Sequence, residues 1–395
     1  MKVHSIAGLR SVAERRLPRM VSDFLEGGAL DELTLERNRS ALNSILLRQR
    51  VLADISARDL TTTVFGTQLG LPLAVSPMGL LTLLNPQADV AIAQAAAAAQ
   101  SVFMHSPWSG CSLEEVAAAA PGRVWAQVSF WKDAAETHRH VARAKALGID
   151  TLVIAGDVAE SSKRDRDIEH GTGMPPKPPL RDVINTALHP RWLWKLVTGR
   201  PMTFGTYEVA GRRMRMREMD SWMATNSNPA ASWENVAELR RNWSGQILVK
   251  GIMTREDAQI AMDLGVDGVF VSNHGGRQFD SQPATIEALP EVVDAVDGRG
   301  LVVLDGGIRR GSDIAKALAL GADVVAAGRP FAYGLAASGR SGADQAFEIL
   351  RDELHTAMGL LGAHSIAEIG PATLVNGFDG VTRPERVPTH EGVLA

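Results

Sequence analysis

The chain has 395 residues, enough for one large domain with additions or for two equal domains, and length alone does not choose between them. Its 41 Lys and Arg side chains nearly balance 45 Asp and Glu side chains, which excludes a general electrostatic attraction to nucleic acid, so we expect no nucleic-acid partner. The single cysteine, Cys111, excludes an intramolecular disulfide and a multi-cysteine metal site, and it fits a reducing cytoplasm.

The N-terminal stretch does not resemble a secretory signal. Residues 1–17 carry charges throughout and contain no continuous apolar run before a small-residue cleavage site. The most apolar segment lies at 90–104, but Gln94 and Gln100 interrupt it, and it is shorter than the roughly 20 residues that span a bilayer. We interpret it as a buried Ala-rich helix that leads into a strand, and we expect a cytoplasmic location.

Short apolar runs that predict β-strands alternate with helix-like segments. The runs lie at 73–76, 102–105, 124–129 and 151–155 and begin again near 247, 268, 301 and 324. Apolar strands that alternate with amphipathic helices indicate parallel strands covered by helices. Eight of them favour an α/β protein built on a closed (β/α)8 TIM barrel, here with an N-terminal helical extension. An open sheet that binds NAD would need a G-x-G-x-x-G turn, which the sequence lacks.

Two stretches repeat one strand-and-helix unit: ILVKGIMTREDAQIAMDLGVDGVFVSN from residue 247 and LVVLDGGIRRGSDIAKALALGADVVAAGR from residue 301. In each, the apolar run ends in a polar residue, Lys250 or Asp305, followed by glycine. Capping signals and glycine stop signals then predict the ends of the two helices. The residues that carry these signals are Thr254 with Asp257, Ser312 with Asp313, Gly265 and Gly321.

Residues 161–232 interrupt the pattern after the fourth strand with Pro-rich, Arg-rich and Met-rich sequence. We interpret them as an insertion, a lid or a loop, within a single barrel domain that spans 1–395. A long irregular segment at a catalytic face is often a mobile lid, and a solvated surface loop is the equal alternative. Its aromatic and basic stretch 190–197 suits a membrane surface, but internal packing or a subunit contact is the preferred interpretation.

The sixth strand ends in SNHGGRQFD, which places His274 three residues before Arg277. Active sites of such barrels lie at the carboxyl ends of the strands, so these two side chains are candidates for catalysis. A histidine is a suitable general base near neutral pH, and an arginine holds a carboxylate through paired hydrogen bonds. One histidine beside one arginine is weak evidence when taken alone.

The last two strands end in glycine and arginine. Residues 305–311 read DGGIRRG and residues 328–330 read GRP, so backbone amides and guanidinium groups meet where barrels commonly bind phosphate. This favours a phosphorylated cofactor, with tight turns and surface ion pairs as the alternative. Lys250, which ends the fifth strand, would stabilise negative charge, form a Schiff base or join a buried ion pair. His138 and His140 lie two residues apart and make a poor metal pair, so we expect no metal site.

These motifs together resemble the FMN-dependent L-2-hydroxy-acid oxidases and dehydrogenases, which include glycolate oxidase, flavin-type lactate dehydrogenase and mandelate dehydrogenase. SNHGGRQFD and LDGGIRRGSDIAKALALGA carry the resemblance, and LPRMVSDFLEGGALDELTLERN, SPMGL and VKGI extend it over most of the chain outside the insertion. The resemblance implies oxidation of an L-2-hydroxy acid by bound FMN, in a homotetramer. It leaves open whether O2, a quinone or a redox protein accepts the electrons.

The resemblance also implies roles for individual residues. His274 would be the base that removes a proton from the substrate, and Asp157 the carboxylate that orients the histidine and stabilises its protonated form. Arg277 would hold the substrate carboxylate, with Arg164 as a second, mobile substrate arginine.

The flavin site implied in the same way has three parts. Lys250 would contact the flavin ring, Asp305 the ribityl chain, and Arg309 with Arg329 the phosphate. Ala155 stands where a threonine is common in the family. The full set is Pro77, Met78, Gly79, Ser106, Gln127, Ala155, Lys250, Ser272, Asp305, Gly306, Gly307, Arg309, Gly328 and Arg329.

Two tyrosines that commonly contact the substrate in this family are replaced by Phe24 and Ser129, and the usual T-P-R-like stretch is replaced at 158–160. A lost hydrogen bond to a charged group costs about 1.5 to 3 kcal/mol, so glycolate and lactate become poorer candidates. With Trp108 as a further substrate contact, the pocket should be larger and less polar. We expect a bulky or aromatic acid, and we expect Gly79 to leave room for its substituent.

Three rival interpretations remain open from the sequence. A member of the same family would oxidise a C–N or C–C centre of a modified peptide or specialised metabolite, and the missing tyrosines support that alternative. A phosphate-binding barrel without flavin explains the glycine and arginine turns but gives no role to His274, Arg277 and Asp157. A noncatalytic binding barrel would retain the same three residues without chemistry.

Overall fold

The computed structural model describes residues 3–160, 162–172, 176–209 and 211–375. In these ranges the helices are α1 (Ile6–Arg16), α2 (Arg19–Glu26), α3 (Leu33–Ser44), α4 (Ala88–Ala98), α5 (Leu113–Ala119), α6 (Ala134–Ala146), α7 (Asp165–Glu169), α8 (Leu180–Ala187), α9 (Pro190–Thr198), α10 (Met216–Asn226), α11 (Trp233–Asn242), α12 (Arg255–Asp263), α13 (Thr285–Val296), α14 (Gly311–Ala319), α15 (Arg329–Ser338) and α16 (Arg340–Leu361). The strands are β1 (Thr62–Val64), β2 (Thr67–Leu69), β3 (Leu73–Val75), β4 (Phe103–His105), β5 (Val124–Val128), β6 (Thr151–Ala155), β7 (Thr203–Val209), β8 (Arg212–Arg215), β9 (Gln246–Ile252), β10 (Gly268–Val271), β11 (Leu301–Leu304) and β12 (Val324–Ala327).

Eight parallel strands close a barrel in the order β3, β4, β5, β6, β9, β10, β11 and β12, and β12 pairs with β3. Each of the eight predicted strand segments coincides with one of these strands. Helices follow the strands and bury the outer face, which explains why the strands are apolar on both sides. The predicted (β/α)8 barrel is therefore confirmed, as is the N-terminal helical extension formed by α1 to α3.

The interior of the barrel is a packed apolar core. Every barrel strand contributes to it, through Ala74, Met104, Trp125, Val153, Leu248, Phe270, Val303, Val324 and Ala326. Val64 and Leu69 of the β1–β2 hairpin join this core. Because the hairpin directly precedes β3, it covers the amino ends of the strands. The polar residues that follow the strands are left at the opposite end, where they form a site.

The N-terminal extension is fastened to the carboxyl end of the barrel. The side chains of Asn38 and Asn273 exchange two hydrogen bonds, of 3.0 and 2.9 Å. Arg39 Nη1 lies 2.7 Å from the buried carboxylate of Asp313. These contacts join α3 to the loop after β10 and to α14, and they hold the N-terminal extension at the barrel mouth.

The two repeated units differ in how their helices begin. Thr254 caps α12 as predicted, since its side chain accepts a hydrogen bond from the Asp257 amide. The prediction for α14 was wrong in detail, because this helix begins at Gly311 and Ser312 lies inside it. Asp313 does the capping by reaching backwards, and its carboxylate accepts hydrogen bonds from the Arg309 and Arg310 amides at 2.9 and 3.0 Å. Both predicted stops have positive φ, +73° at Gly265 and +102° at Gly321.

The segment 161–232 lies outside the barrel, because β6 and β9 pair directly with each other. The expectation of irregular structure was wrong for its described residues. They form α7, α8, α9, the β7–β8 hairpin and α10. The prolines that suggested irregularity instead mark helix starts, since Pro179 is the N-cap of α8 and Pro190 opens α9.

Asp89 of α4 is fully buried, and burial raises the pKa of this carboxyl to about 7. An unfolded Asp loses its proton near about pH 4. Folding therefore retains a proton between these values, and the free energy of unfolding falls as the pH rises through the window. Asp89→Asn removes this titration. We expect the free energy of unfolding of Asp89→Asn, measured relative to wild type by urea unfolding, to be about 2 kcal/mol higher near pH 8 than near pH 5.

Asp263→Asn is the matched control, because Asp263 is 71% exposed in its ion pair with Arg299. Its effect should be small and the same at both pH values. A stability difference between Asp89→Asn and wild type that does not change with pH would contradict the raised pKa.

Candidate active site at the carboxyl ends of the strands

A cavity of about 960 Å³ opens at the carboxyl ends of the barrel strands. This volume is in the upper range of ligand sites, so a cofactor and a substrate fit together. Most predicted site residues line it: Phe24, Pro77, Met78, Gly79, Ser106, Trp108, Gln127, Ser129, Ala155, Arg164, Lys250, His274, Arg277, Asp305, Gly306, Gly307, Arg309, Gly328 and Arg329. Asp157 and Ser272 lie one layer behind, in contact with residues of the lining.

His274 and Asp157 form a hydrogen-bonded pair, with 3.1 Å between Nδ1 and Oδ2. Burial raises the pKa of the Asp157 carboxyl, but the charge and hydrogen bond of His274, together with the charge of Lys250, outweigh it and bring the pKa below its usual value. The aspartate is therefore ionised near neutral pH. Because Nδ1 is engaged by the carboxylate, Nε2 is left to exchange a proton with a ligand in the cavity.

The backbone around this pair has a conformation that few residue types adopt. His274 has a φ of +56°, which is uncommon outside glycine and often occurs at functional sites. Gly251 has a φ of +103°, and a Cβ there would lie 2.8 Å from Cβ of Asp157. The glycine of the VKGI motif thus lets Asp157 approach the barrel rim.

Arg277 and Arg329 bring positive charge to the cavity, and both donate hydrogen bonds to backbone carbonyls at the end of α2. Arg277 Nη1 donates to the carbonyl oxygens of Phe24 and Gly27 at 2.9 and 2.6 Å. Arg329 donates to the carbonyls of Leu25 and Gly27 at 3.0 and 2.9 Å. These acceptors are backbone oxygens at a helix C-terminus, which carry only partial negative charge.

The positive charges of these arginines are poorly compensated. Burial, followed by the neighbouring cations Arg164 and Arg329, holds the pKa of Arg277 well below its usual value. Burial and the nearby Arg309 lower the pKa of Arg329 to about 10. A group of cations that disfavour one another's charge is stabilised when an anion enters the cavity.

Arg164 reaches the same region from the start of the insertion. Its Nε donates to the Arg277 carbonyl at 3.2 Å, and its Nη1 lies 3.7 Å from Asp167. The structure therefore brings the two predicted substrate arginines together.

Lys250 and Asp305 form a buried ion pair of 3.1 Å across the barrel mouth. Ser272 contacts the Lys250 ammonium rather than the cavity, and Ser76 donates to Asp305 Oδ2 at 3.0 Å. Asp305 Oδ1 is buried without a hydrogen-bond partner among the described residues. A buried acceptor without a partner is costly, so a ligand hydroxyl is expected there.

The turns after β11 and β12 combine glycine with arginine. Gly307 has a φ of +80°, and a Cβ there would lie 2.5 Å from the Asn38 carbonyl oxygen, so the close approach of α3 requires glycine. Arg309 donates to the Ile308 carbonyl at 2.8 Å and has no side-chain acceptor among the described residues. The N-terminus of α15 follows Gly328 directly. Positive side chains and a helix N-terminus together suit a phosphate.

The family model described as FMN-dependent dehydrogenase matches residues 13–376. The chain belongs to this family. It is 40% identical over 371 residues to the L-lactate dehydrogenase of Xanthomonas campestris pv. campestris (strain B100), which covers 93% of this chain and 96% of the relative. It is 39% identical over 390 residues to the L-lactate dehydrogenase of Caulobacter vibrioides (strain NA1000 / CB15N), with 98% and 99% covered.

Solved structures of the same kind of protein have a closely similar fold. The monotopic membrane protein (S)-mandelate dehydrogenase matches with a TM-score of 0.90 and 34% identity, over 95% of this chain and all (100%) of that chain. Mandelate oxidase with (S)-4-hydroxymandelic acid matches with a TM-score of 0.81 and 35% identity, over 93% and 97%. The resemblance inferred from the sequence motifs is confirmed, and the protein is an FMN-dependent oxidoreductase.

The residues of this FMN-dependent dehydrogenase fit its cofactor. The cations Arg309 and Arg329 match the charge of a phosphate, and the open Oδ1 of Asp305 matches a ribityl hydroxyl. Lys250, held by Asp305, would supply positive charge beside the flavin ring. The cavity therefore contains a matching group for each chemical part of FMN.

Phe24 adds apolar surface on the cationic side of the cavity, since its ring lies under the Arg277 guanidinium, 5.2 Å from ring centroid to Cζ. On the opposite side Trp108 and Trp131 form an apolar wall, beside which Ser129 Oγ is buried without a partner among the described residues. A Cβ on Gly79 would lie 2.7 Å from Cβ of Trp108. The space in front of Gly79 is thus filled by Trp108, and the expectation that it leaves room for a substrate substituent was wrong.

Sequence reasoning missed the residues that the insertion contributes to this wall. Met219 and Met223 of α10 line the cavity beside Trp131, which follows β5. Two methionines four residues apart lie on one face of a helix, so their spacing was a usable signal. It was not recognised because the segment was not predicted to be helical.

Proposed function

We propose that this enzyme oxidises an L-2-hydroxy acid with a bulky or aromatic side chain to the corresponding 2-oxo acid. The observation that carries the proposal is the hydrogen-bonded pair of His274 and Asp157 beside Arg277, whose side-chain hydrogen bonds go to backbone carbonyls. A base and an uncompensated cation in one cavity suit a substrate with a removable proton and a carboxylate.

The roles of the residues follow from their positions. Arg277 and Arg164 bind the substrate carboxylate through charge-assisted hydrogen bonds and orient carbon 2. Nε2 of His274 accepts a proton from the substrate, and Asp157 stabilises the imidazolium that results. Bound FMN, which Lys250, Asp305, Arg309 and Arg329 would hold, would supply the acceptor for the two electrons that the substrate loses when its alcohol carbon becomes a ketone. O2, a quinone or a redox protein would then take these electrons from the flavin.

The apolar wall supports a bulky side chain. In this wall Trp108 packs edge-on against Trp131 with 5.7 Å between ring centroids, and Phe24, beside Arg277, carries no hydroxyl. Such a wall favours an aromatic ring over the small substituent of lactate. The relatives reported above are named for L-lactate and the solved structures for mandelate. Both names denote enzymes of 2-hydroxy acids, which favours this substrate class over a C–N or C–C centre.

Anaerobic titration of the FMN-loaded enzyme with L-mandelate and L-lactate tests the proposal, with the visible flavin bands as the readout. We expect L-mandelate to bleach the flavin at a concentration about tenfold or more below that of L-lactate, because the apolar wall contacts the ring. His274→Asn is the control, which should retain FMN and lose the bleaching. If neither acid reduces the FMN-loaded enzyme, the proposal is contradicted and a substrate oxidised at a C–N or C–C centre is favoured instead.

We also propose that the insertion seats this enzyme on a lipid surface, on the cytoplasmic side. Helix α8 exposes apolar side chains at a spacing of three or four residues, whereas an ordinary surface helix turns such side chains toward the core. The exposed set on α8 and α9 is Leu180 (74%), Val183 (49%), Ile184 (55%), Trp194 (70%) and Val197 (75%), and Leu188 (72%) lies between the two helices.

Basic residues and one of the matched structures also support a lipid-binding surface on the insertion. Arg181, Arg191 and Lys195 are exposed on these helices and suit anionic lipid headgroups. One matched solved structure is described as a monotopic membrane protein. In the ranges that the structure describes, no helix is long and apolar enough to cross a membrane. From the family resemblance we also propose that the enzyme is a homotetramer, which would present several such surfaces together.

Flotation with vesicles of phosphatidylcholine and phosphatidylglycerol measures the lipid contact. We expect the double variant Trp194→Glu and Val197→Glu to lower the vesicle-bound fraction about tenfold or more, since it places two charges in the apolar surface. Leu360→Glu is the matched control, because Leu360 is 53% exposed on α16, outside the insertion. Equal binding by wild type and the double variant would contradict the proposal.

A further inference from the structure

On one side the cavity is lined by the insertion together with the loop after β5. Met219 and Met223, one helical turn apart on α10, line the cavity together with Trp131. Met219 is 1% exposed and belongs to a buried cluster with Trp131, Phe204 and Tyr207. The two methionines thus touch the cavity on one side and a packed aromatic cluster on the other.

This cluster holds α10 in a fixed position. Trp222 of α10 packs against Trp131 and Tyr207, with ring centroids 4.8 and 4.6 Å apart. The backbone amide of Lys132 donates to the Asn226 carbonyl at 2.9 Å, which ties the end of α10 to the loop after β5. Interlocking aromatic rings and a backbone hydrogen bond make this part of the insertion a wall and not a loose lid.

The hairpin behind α10 is fixed as firmly. The Gly205 amide donates to the Ser109 carbonyl at 2.9 Å, and a Cβ on Gly205 would lie 2.2 Å from the carbonyl carbon of Cys111. Arg213 of β8 pairs with Glu115 at 3.0 Å. The hairpin is therefore pressed against the loop after β4, and it supports the cluster from outside.

The wall formed by Met219, Met223 and Trp131 lies across the barrel mouth from Arg277 and Arg309. Trp131 follows β5 and Arg309 follows β11, and these strands are four places apart in a closed ring of eight. Arg277, which follows β10, is three places from β5. A substrate whose carboxylate is held by Arg277 therefore extends its side chain toward the wall.

We infer that Met219 and Met223 are specificity-determining residues that contact the substrate side chain and set the size that this enzyme accepts. The inference rests on the proposed oxidation of a 2-hydroxy acid and assigns its side-chain selectivity to the insertion. Methionine suits this role, because its flexible thioether fills irregular gaps and makes favourable contacts with aromatic rings.

The test measures the dissociation constants of phenylacetate and acetate for the FMN-loaded enzyme by titration calorimetry. Both probes present a carboxylate, and only phenylacetate reaches the wall. We expect Met219→Ala and Met223→Ala to weaken phenylacetate about tenfold, within the range for lost apolar contacts in a pocket, and to leave acetate unchanged.

Met214→Ala is the matched control. Met214 is fully buried in the same aromatic cluster and does not line the cavity. This variant should lower the melting temperature and keep the phenylacetate to acetate ratio of wild type. A ratio that stays within about twofold of wild type in both Met219→Ala and Met223→Ala would overturn the inference, since one lost methylene contact already changes affinity more.

The remaining outcomes are also decisive. An equal change of the ratio in Met214→Ala would show a packing effect and overturn direct contact. A wild-type enzyme that binds neither probe would overturn it as well. Failure of the proposed function is distinct, because it appears as a flavin that 2-hydroxy acids do not bleach, whereas the binding ratio requires no turnover.

Discussion

Positive charge held at one end of a closed barrel is the constraint from which the site follows. Closure of the eight strands leaves the residues after each strand at a common rim, and the N-terminal extension covers part of that rim. Arg277 and Arg329 reach it with backbone carbonyls as their hydrogen-bond partners. Burial of these cations without full counter-charges is unfavourable, and anionic ligands compensate for it. The fold thus gives up stability where it binds substrate and cofactor.

The same rim separates two kinds of chemistry. The turns after β10, β11 and β12 supply charge, whereas the loops after β4 and β5 supply aromatic side chains. His274 follows β10 and Asp157 follows β6, and their hydrogen bond bridges the end of β9, which lies between those two strands. A 2-hydroxy acid has the matching division, with a carboxylate at one end and a side chain at the other. The reacting carbon between them is then held at the base.

The sequence was sufficient for the barrel and for the charged side of the site, because both depend on short local patterns. Apolar runs that end in a polar residue locate the strands, and barrel closure then brings Asp157 to His274. It was insufficient where long-range packing decides. Trp108 occupies the space in front of Gly79, and the cap of α14 depends on the Asp313 carboxylate, which reaches back to earlier amides. The helices of the insertion are short and expose apolar side chains. Packing between distant segments leaves no local pattern in a single sequence, and the helical spacing in the insertion was overlooked because its Pro-rich and Arg-rich sequence suggested a loop.

Uncompensated cations at the rim should bind an anion, and the affinities of the apoprotein for FMN and for riboflavin test this most directly. The two ligands differ only in the phosphate, and each charge-assisted hydrogen bond contributes about 1.5 to 3 kcal/mol. Two such bonds predict that FMN binds about 100-fold or more tightly than riboflavin in fluorescence titrations at low salt. Equal affinities would contradict the account, because the arginines would then be satisfied by the protein itself.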